Sequence, residues 1–253
     1  MKFIDLSKSG RIISPDFTGV PNLEKLTLSY CQNLCELHPS IGILKKLVLL
    51  DLADCKNLGC LPDTICSLKL LECLDLSRSS SFENLPENLG NVEGLRRLYL
   101  SETAIKELPS SIGHLPSLTS LDINGCKNLV CLPNTTCGFQ FRGALDLSSC
   151  SKFHGALDLS ICPRFKNLPE NPWIIEGLGM LDLSKTAIEE MPSSIGCLTN
   201  LTALTLRFCL NLVHLPSTIC SLKLLNYLDL HGCIKFNNLP VNMGNMKGLK
   251  RLD

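Results

Sequence analysis

The sequence predicts an α/β solenoid. Like coils stack in a curved horseshoe, with a parallel β-sheet on the concave face and short helical or 3₁₀ turns and loops on the convex face. Three observations predict it. One phrase recurs along the chain, opening at Leu23, Leu47, Leu71 and Leu95, each 24 residues after the last. Its first part alternates apolar and polar as L-x-L, the period of a short strand. Its later Leu-Pro pair breaks any ladder, because proline has no N–H to donate. One such coil cannot bury its own apolar face, so coils must stack.

The copy at residues 47–68 reads L-x-x-L-x-L-x-x-C-x-N-L-x-x-L-P-x-x-I-x-x-L. Self-similarity at a period of roughly 20 to 29 residues with this spacing defines a leucine-rich repeat. Coils open at Met1, Leu23, Leu47, Leu71, Leu95 and Leu118, then at Arg142, His154, Leu178, Leu201, Leu225 and Leu249. The expected organisation is one domain over 1–253. It holds about ten full coils, an irregular half coil at 142–153 and a stub from Leu249, and its two ends carry no cap, as in a fragment.

Within a coil, pairs such as Leu26/Leu28, Leu50/Leu52, Leu74/Leu76 and Leu98/Leu100 define the strand. Leu61-Pro62, Leu85-Pro86, Leu108-Pro109 and Leu215-Pro216 turn the chain across the bottom. The following Ser111-Ile112-Gly113 and Ser194-Ile195-Gly196 suit a short helical or 3₁₀ turn. The coils opening at Leu95 and Leu178 are one residue shorter and replace C-x-N-L by T-A-I. Thr103 and Thr186 then stand at the cysteine position, where a hydroxyl can make the same turn hydrogen bond.

The pattern breaks once. GALDLSSCSKFH at 143–154 is followed by GALDLSICPRF at 155–165, a tandem duplication that adds a strand without a return path. A locally irregular segment is expected there, with Trp173, the single tryptophan, filling space beneath it.

Bulk properties exclude several classes. Lys plus Arg equals Asp plus Glu at 24 each, so no basic excess points to nucleic acid. No apolar run of about 18 residues provides a membrane span, and the opening MKFIDLSKSGRIISPDF lacks the h-region of a signal peptide. Aliphatic ladders fit the 45% hydrophobic and 5% aromatic content.

Of 15 cysteines, Cys31, Cys55, Cys126, Cys150, Cys162, Cys209 and Cys233 share one repeat position. They read as buried reduced thiols standing where other such repeats place asparagine. Spacings such as Cys126, Cys131, Cys137 and Cys55, Cys60, Cys66 could suggest zinc, but they recur with the coil and lack a C-x₂-C pair, so no metal is expected. The sequons at Asn134 and Asn200 are the only extracellular hint. His38, His114, His154 and His214 fall at scattered turn positions and are expected to be solvated.

The residue between the strand leucines is aspartate in most coils: Asp5, Asp51, Asp75, Asp122, Asp146, Asp158, Asp182 and Asp229. An exposed acidic ladder is expected, spaced about 4.8 Å per coil, with carboxylates bonded to serine hydroxyls and some pKa values raised by repulsion. No nucleophile or histidine converges on it, so no catalytic residue is expected. Residues that break the pattern are the candidate protein contacts: Tyr30, Arg78, Arg97, Tyr99, Glu102, Lys185, Arg207, Phe208, Tyr227 and His231. Arginine and aromatic residues are the types that anchor interfaces.

SETAIKELPSSIGHL at 101–115, SKTAIEEMPSSIGCL at 184–198 and the opening FIDLSKSGRIISPDFTGVPNLEKLTLSYC resemble the repeat region of plant TIR–nucleotide-binding–leucine-rich-repeat disease-resistance proteins, of the tobacco mosaic virus resistance type. The resemblance covers the whole chain. It implies a cytoplasmic or nucleocytoplasmic recognition domain for a pathogen effector or a guarded host protein, which also restrains the receptor's own N-terminal nucleotide-binding and TIR domains. No phosphate-binding loop occurs in this chain, so the resemblance assigns it no cofactor and no enzymatic step. Two other readings of the residues stay open. One is a Ras-group repeat scaffold for a GTPase or phosphatase. The other is an extracellular ectodomain, against which L-x-x-L-P in place of L-x-G-x-I-P counts.

Overall fold

A computed structural model describes residues 1–133, 156–169 and 178–253. Each described coil contributes one short strand: β1 (Phe3–Asp5), β2 (Lys25–Thr27), β3 (Leu49–Asp51), β4 (Cys73–Asp75), β5 (Arg97–Tyr99), β6 (Ser120–Asp122), β7 (Ala156–Asp158), β8 (Met180–Asp182), β9 (Ala203–Thr205), β10 (Tyr227–Asp229) and β11 (Arg251–Leu252). They form one parallel sheet in chain order. The register places the central apolar residue of each strand opposite that of the next, Leu26 to Leu50 to Leu74 to Leu98 to Leu121. β6 pairs directly with β7, so the ladder passes from Leu121 to Leu157. The duplicated stretch 143–154 and Trp173 lie outside the described residues.

The apolar side chains stack into continuous columns. Leu26, Leu50, Leu74 and Leu98 have no exposed surface, nor do Leu28, Leu52, Leu76 and Leu100 two residues later. Burying each such leucine is worth about 1.5–3 kcal/mol, and only the neighbouring coil supplies the cover. Phe82 and Phe165 fill the place that Leu34 and Leu58 hold in other coils and are among the largest fully buried side chains. The end coils are more open, with Phe3 and Ile13 exposed in the first and Ile234 and Val241 in the last full one.

The far side carries 3₁₀ turns, including Pro39–Ile43, Asp63–Ser67, Ser110–His114, Ser193–Cys197 and Ser217–Ser221. The expected Ser-x-Ile-Gly turns are therefore 3₁₀, and in four of these five a proline is the residue just before the turn, from a Leu-Pro pair in three and from Met191-Pro192 in the fourth. The glycine has a packing cause: a Cβ on Gly196 would run into the backbone carbonyl of Thr218 one coil on. His38 departs from its expected solvated role. It caps the turn that starts at Pro39, its Nδ1 accepting from the Ser40 amide at 3.2 Å.

The cysteine position is a hydrogen-bond column. The thiol of Cys55 donates to the Leu28 carbonyl of the coil before, and Cys31, Cys126, Cys162 and Cys209 do the same to Leu6, Leu100, Ile123 and Leu183 at 3.1–3.2 Å. Ser79 occupies the column once, its hydroxyl 2.9 Å from Leu52 O. The two threonine coils differ from expectation. Thr103 and Thr186 donate to Leu100 and Leu183 within their own coil, at 2.8 and 2.7 Å, and so do not tie back to the preceding one. All described cysteines are free thiols.

Ser79 predicts how the column tolerates change. Cys55→Ser should retain the inter-coil bond and cost under about 1 kcal/mol in denaturant unfolding. Cys55→Val leaves the Leu28 carbonyl with only the Cys31 amide at 3.3 Å and removes the tie between coils, and should cost more than Cys55→Ser, about 1–1.5 kcal/mol.

Candidate protein-binding surface

Three rows of side chains lie on the sheet and its rim. The first strand residue gives one row, with Lys25, Leu49, Cys73 and Arg97 in register. The third strand residue gives the aspartate row. A third row comes from the turn three residues further on, where the backbone is left-handed. Lys8, Tyr30, Asp54, Arg78, Glu102, Ile161, Lys185 and Phe208 all have φ between 55° and 61°, and Gly125 and Gly232 complete the row.

That conformation has a local cause. It turns the amide toward the next coil: Tyr30 N donates to Ala53 O, Asp54 N to Ser77 O, Arg78 N to Ser101 O and Phe208 N to His231 O, all at 2.7–2.8 Å. The ladder thus continues past the strand, and the side chain at the turn is exposed at every non-glycine position except Asp54, which is buried beside Arg78. A left-handed residue other than glycine costs roughly 1–2 kcal/mol, so eight of them are retained against that bias.

Apart from Asp5, which is exposed, the aspartate row is not the open ladder expected. Asp51, Asp75, Asp122, Asp158 and Asp182 are half-buried, and Asp229 has no exposed surface. Their Oδ1 atoms accept from the backbone amide two residues on: Ala53, Ser77, Asn124, Ser160, Ser184 and His231, at 2.8–3.0 Å. The partner is first the backbone, since the extended strand must be turned at that residue, and serine hydroxyls are secondary. Burial, and only then a neighbouring carboxylate, pushes Asp51 and Asp122 above the usual range; Asp182 is raised by burial first too.

The ten candidate residues fall into separate groups. At the N-terminal end Arg78 holds Asp54 through Nε at 2.8 Å and Nη2 at 2.6 Å, and Lys8 lies 5.8 Å over the Tyr30 ring. That pairing sets the Arg78 guanidinium still higher than usual, through its hydrogen bond to Asp54. In the middle, Arg97 and Tyr99 share β5 and Glu102 follows at the turn. Lys185 stands at the turn after β8 and makes no ion pair among the described residues. At the far end Arg207, Phe208, Tyr227 and His231 converge. Buried Asp229 accepts from the Tyr227 hydroxyl at 2.7 Å and from the His231 amide at 2.9 Å, with Arg207 Nη1 at 3.5 Å. The Phe208 ring stands edge-on to His231 at 5.3 Å.

Sequence reasoning missed Asp54 and Asp229, the two acids that organise these groups, and Arg251, which lies 5.5 Å over the Tyr227 ring. Asp229 was read as one consensus aspartate among several; the tyrosine two residues before it and the arginine one coil back were the available signal. The suggested zinc spacings come apart, because Cys55, Cys66 and Cys126 are buried while Cys60 and Cys131 are exposed and Cys137 lies outside the described residues. Among the described residues no three potential metal ligands converge, and no helix is long and apolar enough to cross a membrane.

The fold and the register of its coils define a leucine-rich-repeat protein. A general leucine-rich-repeat family matches residues 46–68, and the family described as disease resistance protein RPS4B-like, leucine-rich repeats, matches 67–157. The chain is 36% identical over 209 residues to TMV resistance protein N of Nicotiana glutinosa, covering 82% of this chain and 17% of that protein. It is 45% identical over 213 residues to SUPPRESSOR OF npr1-1, CONSTITUTIVE 1 of Arabidopsis thaliana, covering 84% of this chain and 13% of the relative. The solved leucine-rich repeat domain of the type III effector XopL superposes with TM-score 0.55 at 25% identity, over 92% of this chain and 69% of that one. These repeats belong to the leucine-rich-repeat region of plant TIR–nucleotide-binding disease-resistance proteins. The chain spans less than a fifth of the length of either of these curated relatives.

Two stability effects follow. Asp122→Asn keeps the oxygen that accepts from Asn124 and removes a charge between Asp75 and Asp158, so it should stabilise the fold by about 0.5 kcal/mol. Burial pushes the thiols of Cys55 and Cys162 up to about 12 and Cys126 to about 11, from an ordinary value of 9.0. The folded chain therefore binds these protons more tightly than the unfolded chain. Their contribution is complete below pH 9.0 and is lost as pH rises toward about 12. Urea melts should show a flat plateau at neutral pH and a decline across that alkaline window, reduced in Cys55→Ser.

Proposed function

We propose that this chain is the recognition domain of a plant intracellular immune receptor and carries out no chemistry itself. The observation that carries the reading is the match to two resistance proteins over more than four-fifths of the chain. On this reading the sheet face and its left-handed rim engage a pathogen effector or the host protein that the effector targets. The same face restrains the receptor's nucleotide-binding and TIR domains when no effector is present. The setting is cytoplasmic or nucleocytoplasmic, which the free thiols of every described cysteine support, since reducing compartments keep such columns unpaired.

The physical support is the division of labour within each coil. Backbone amides, thiols and aspartate Oδ1 atoms hold the coils together, while side chains at the left-handed position are varied and, Asp54 apart, exposed. Recognition of many different proteins by one scaffold needs that separation of frame from surface.

Capture of a resistance-family nucleotide-binding domain, or of a matching effector, by the purified chain tests it. Tyr99→Ala and Arg207→Ala should each weaken capture by about tenfold or more if either is an anchoring contact. Capture of neither class of protein by the folded wild-type chain would overturn the reading, and capture unaffected by both variants would move the contact surface elsewhere.

A further inference from the structure

We propose that the stretch from β8 to β10 carries a cationic–aromatic patch, formed by Lys185, Arg207, Phe208, Tyr227 and His231, that takes an acidic segment of a partner protein. This deepens the recognition reading above and rests on it.

The argument begins with where the carboxylates stop. From β6 to β8 the third strand position is an uninterrupted, half-buried acidic row of Asp122, Asp158 and Asp182. At β9 the position is Thr205, and at β10 it is Asp229, which is wholly buried. The acidic row therefore reaches its end as an open surface feature at Asp182; past the buried Asp229, Asp253 follows in register with its carboxylate paired to Arg251 at 2.7 Å. Cations stand around its end: Lys185 and Arg207 are exposed, as is the ring of His231 beside them.

These groups are held in place. Asp229 engages one nitrogen of Arg207 at 3.5 Å, and a guanidinium has five N–H donors, so the others stay available. Tyr227 is fixed by its hydroxyl on the same carboxylate at 2.7 Å. Phe208 is 40% exposed yet locked, edge-on to His231 and lying over Gly232. A Cβ at 232 would run into that ring, so the glycine leaves the room that Phe208 occupies. An exposed aromatic ring on a rigid support, flanked by cations, presents an anchor with little ordering entropy left to lose. Charge complementarity selects the occupant: carboxylate side chains reach the guanidinium and ammonium groups while an apolar side chain covers Phe208.

The test is fluorescence anisotropy with a labelled peptide of about ten residues, Asp and Glu around one Phe, against its Asn/Gln and Lys counterparts. The acidic peptide should bind about tenfold tighter than the neutral one, lose most of that advantage at about 0.3 M salt, and leave the Lys peptide unbound. Lys185→Glu, at an exposed side chain without an ion pair among the described residues, should weaken acidic binding about tenfold with an unchanged melting temperature. Phe208→Ala should weaken both acidic and neutral peptides. Lys69→Glu, in the distant pair with Glu93, should change nothing. Equal affinity for all three peptides, indifference to Lys185→Glu, or tighter binding of phosphatidylserine–phosphatidylcholine vesicles or of a single-stranded oligonucleotide would each overturn the patch. Partner capture with no peptide binding overturns this patch alone; peptide binding with no capture overturns the receptor reading alone.

Discussion

The structure depends on the parallel register that sets each coil's central leucine opposite the next. A strand of three residues has few ladder bonds, and by itself it would be marginal. The register is secured by continuing the pairing through the turn. Leu28 N reaches Asp51 O, Tyr30 N reaches Ala53 O, and the Cys55 thiol reaches back to Leu28 O. Amides pointing forward and thiols pointing backward bind such junctions from both sides, with the Ser79 hydroxyl in the thiol's place once and the two threonine coils lacking the backward tie. The left-handed turn follows from this, because only that conformation presents the amide to the neighbouring coil. The same rotation carries the side chain away from the stack. The surface is thus a by-product of the ladder: what fixes the backbone of Phe208 and Arg78 also makes their side chains available.

The aspartate row shows a second consequence of stacking. Each carboxylate accepts an amide two residues on, which ends the strand and begins the turn, yet each also sits about 4.8 Å from the same residue in the next coil. Like charges directly opposite destabilise a sheet. Thr27, Tyr99 and Thr205 interrupt the row, so that among the described strands at most three aspartates follow one another in register. A tyrosine or threonine here relieves its neighbours as well as altering the surface. Tyr99 thus has a structural reason to stand between Asp75 and Asp122, whether or not a partner touches it.

Much of the fold was legible because a repeat states its own register. The strand leucines, the Leu-Pro crossing, the 3₁₀ turns and the buried thiol column all follow from residue spacing. Spacing does not give side-chain direction or burial. Asp229 and Asp182 look identical in sequence, and one is wholly buried while the other is half-exposed, because Tyr227 and Arg207 close over the former. Spacing likewise makes the threonine coils equivalent to cysteine coils, but Thr103 satisfies its own turn and makes no tie to the coil before, while the Cys126 thiol of the next coil reaches back to the same Leu100 carbonyl. Of the ten candidate contacts, eight are exposed, while Tyr99 and Tyr227 are half-buried. Their grouping came from buried acids that no single-residue criterion singles out.

The net charge of zero has a further meaning on such a scaffold. Without a global field there is little long-range steering toward a partner, and at physiological ionic strength a surface charge is screened over about 8 Å. With coils about 4.8 Å apart, a charged side chain acts on its own coil and one or two neighbours. The Asp54–Arg78 pair near one end and the Arg207–Asp229 group near the other are therefore electrostatically independent, though they share one sheet. A change in one need not alter what the other binds, and neither need disturb the leucine columns beneath. The solenoid can vary its recognition chemistry locally because its stability comes from contacts between adjacent coils and not from any centre that all coils share.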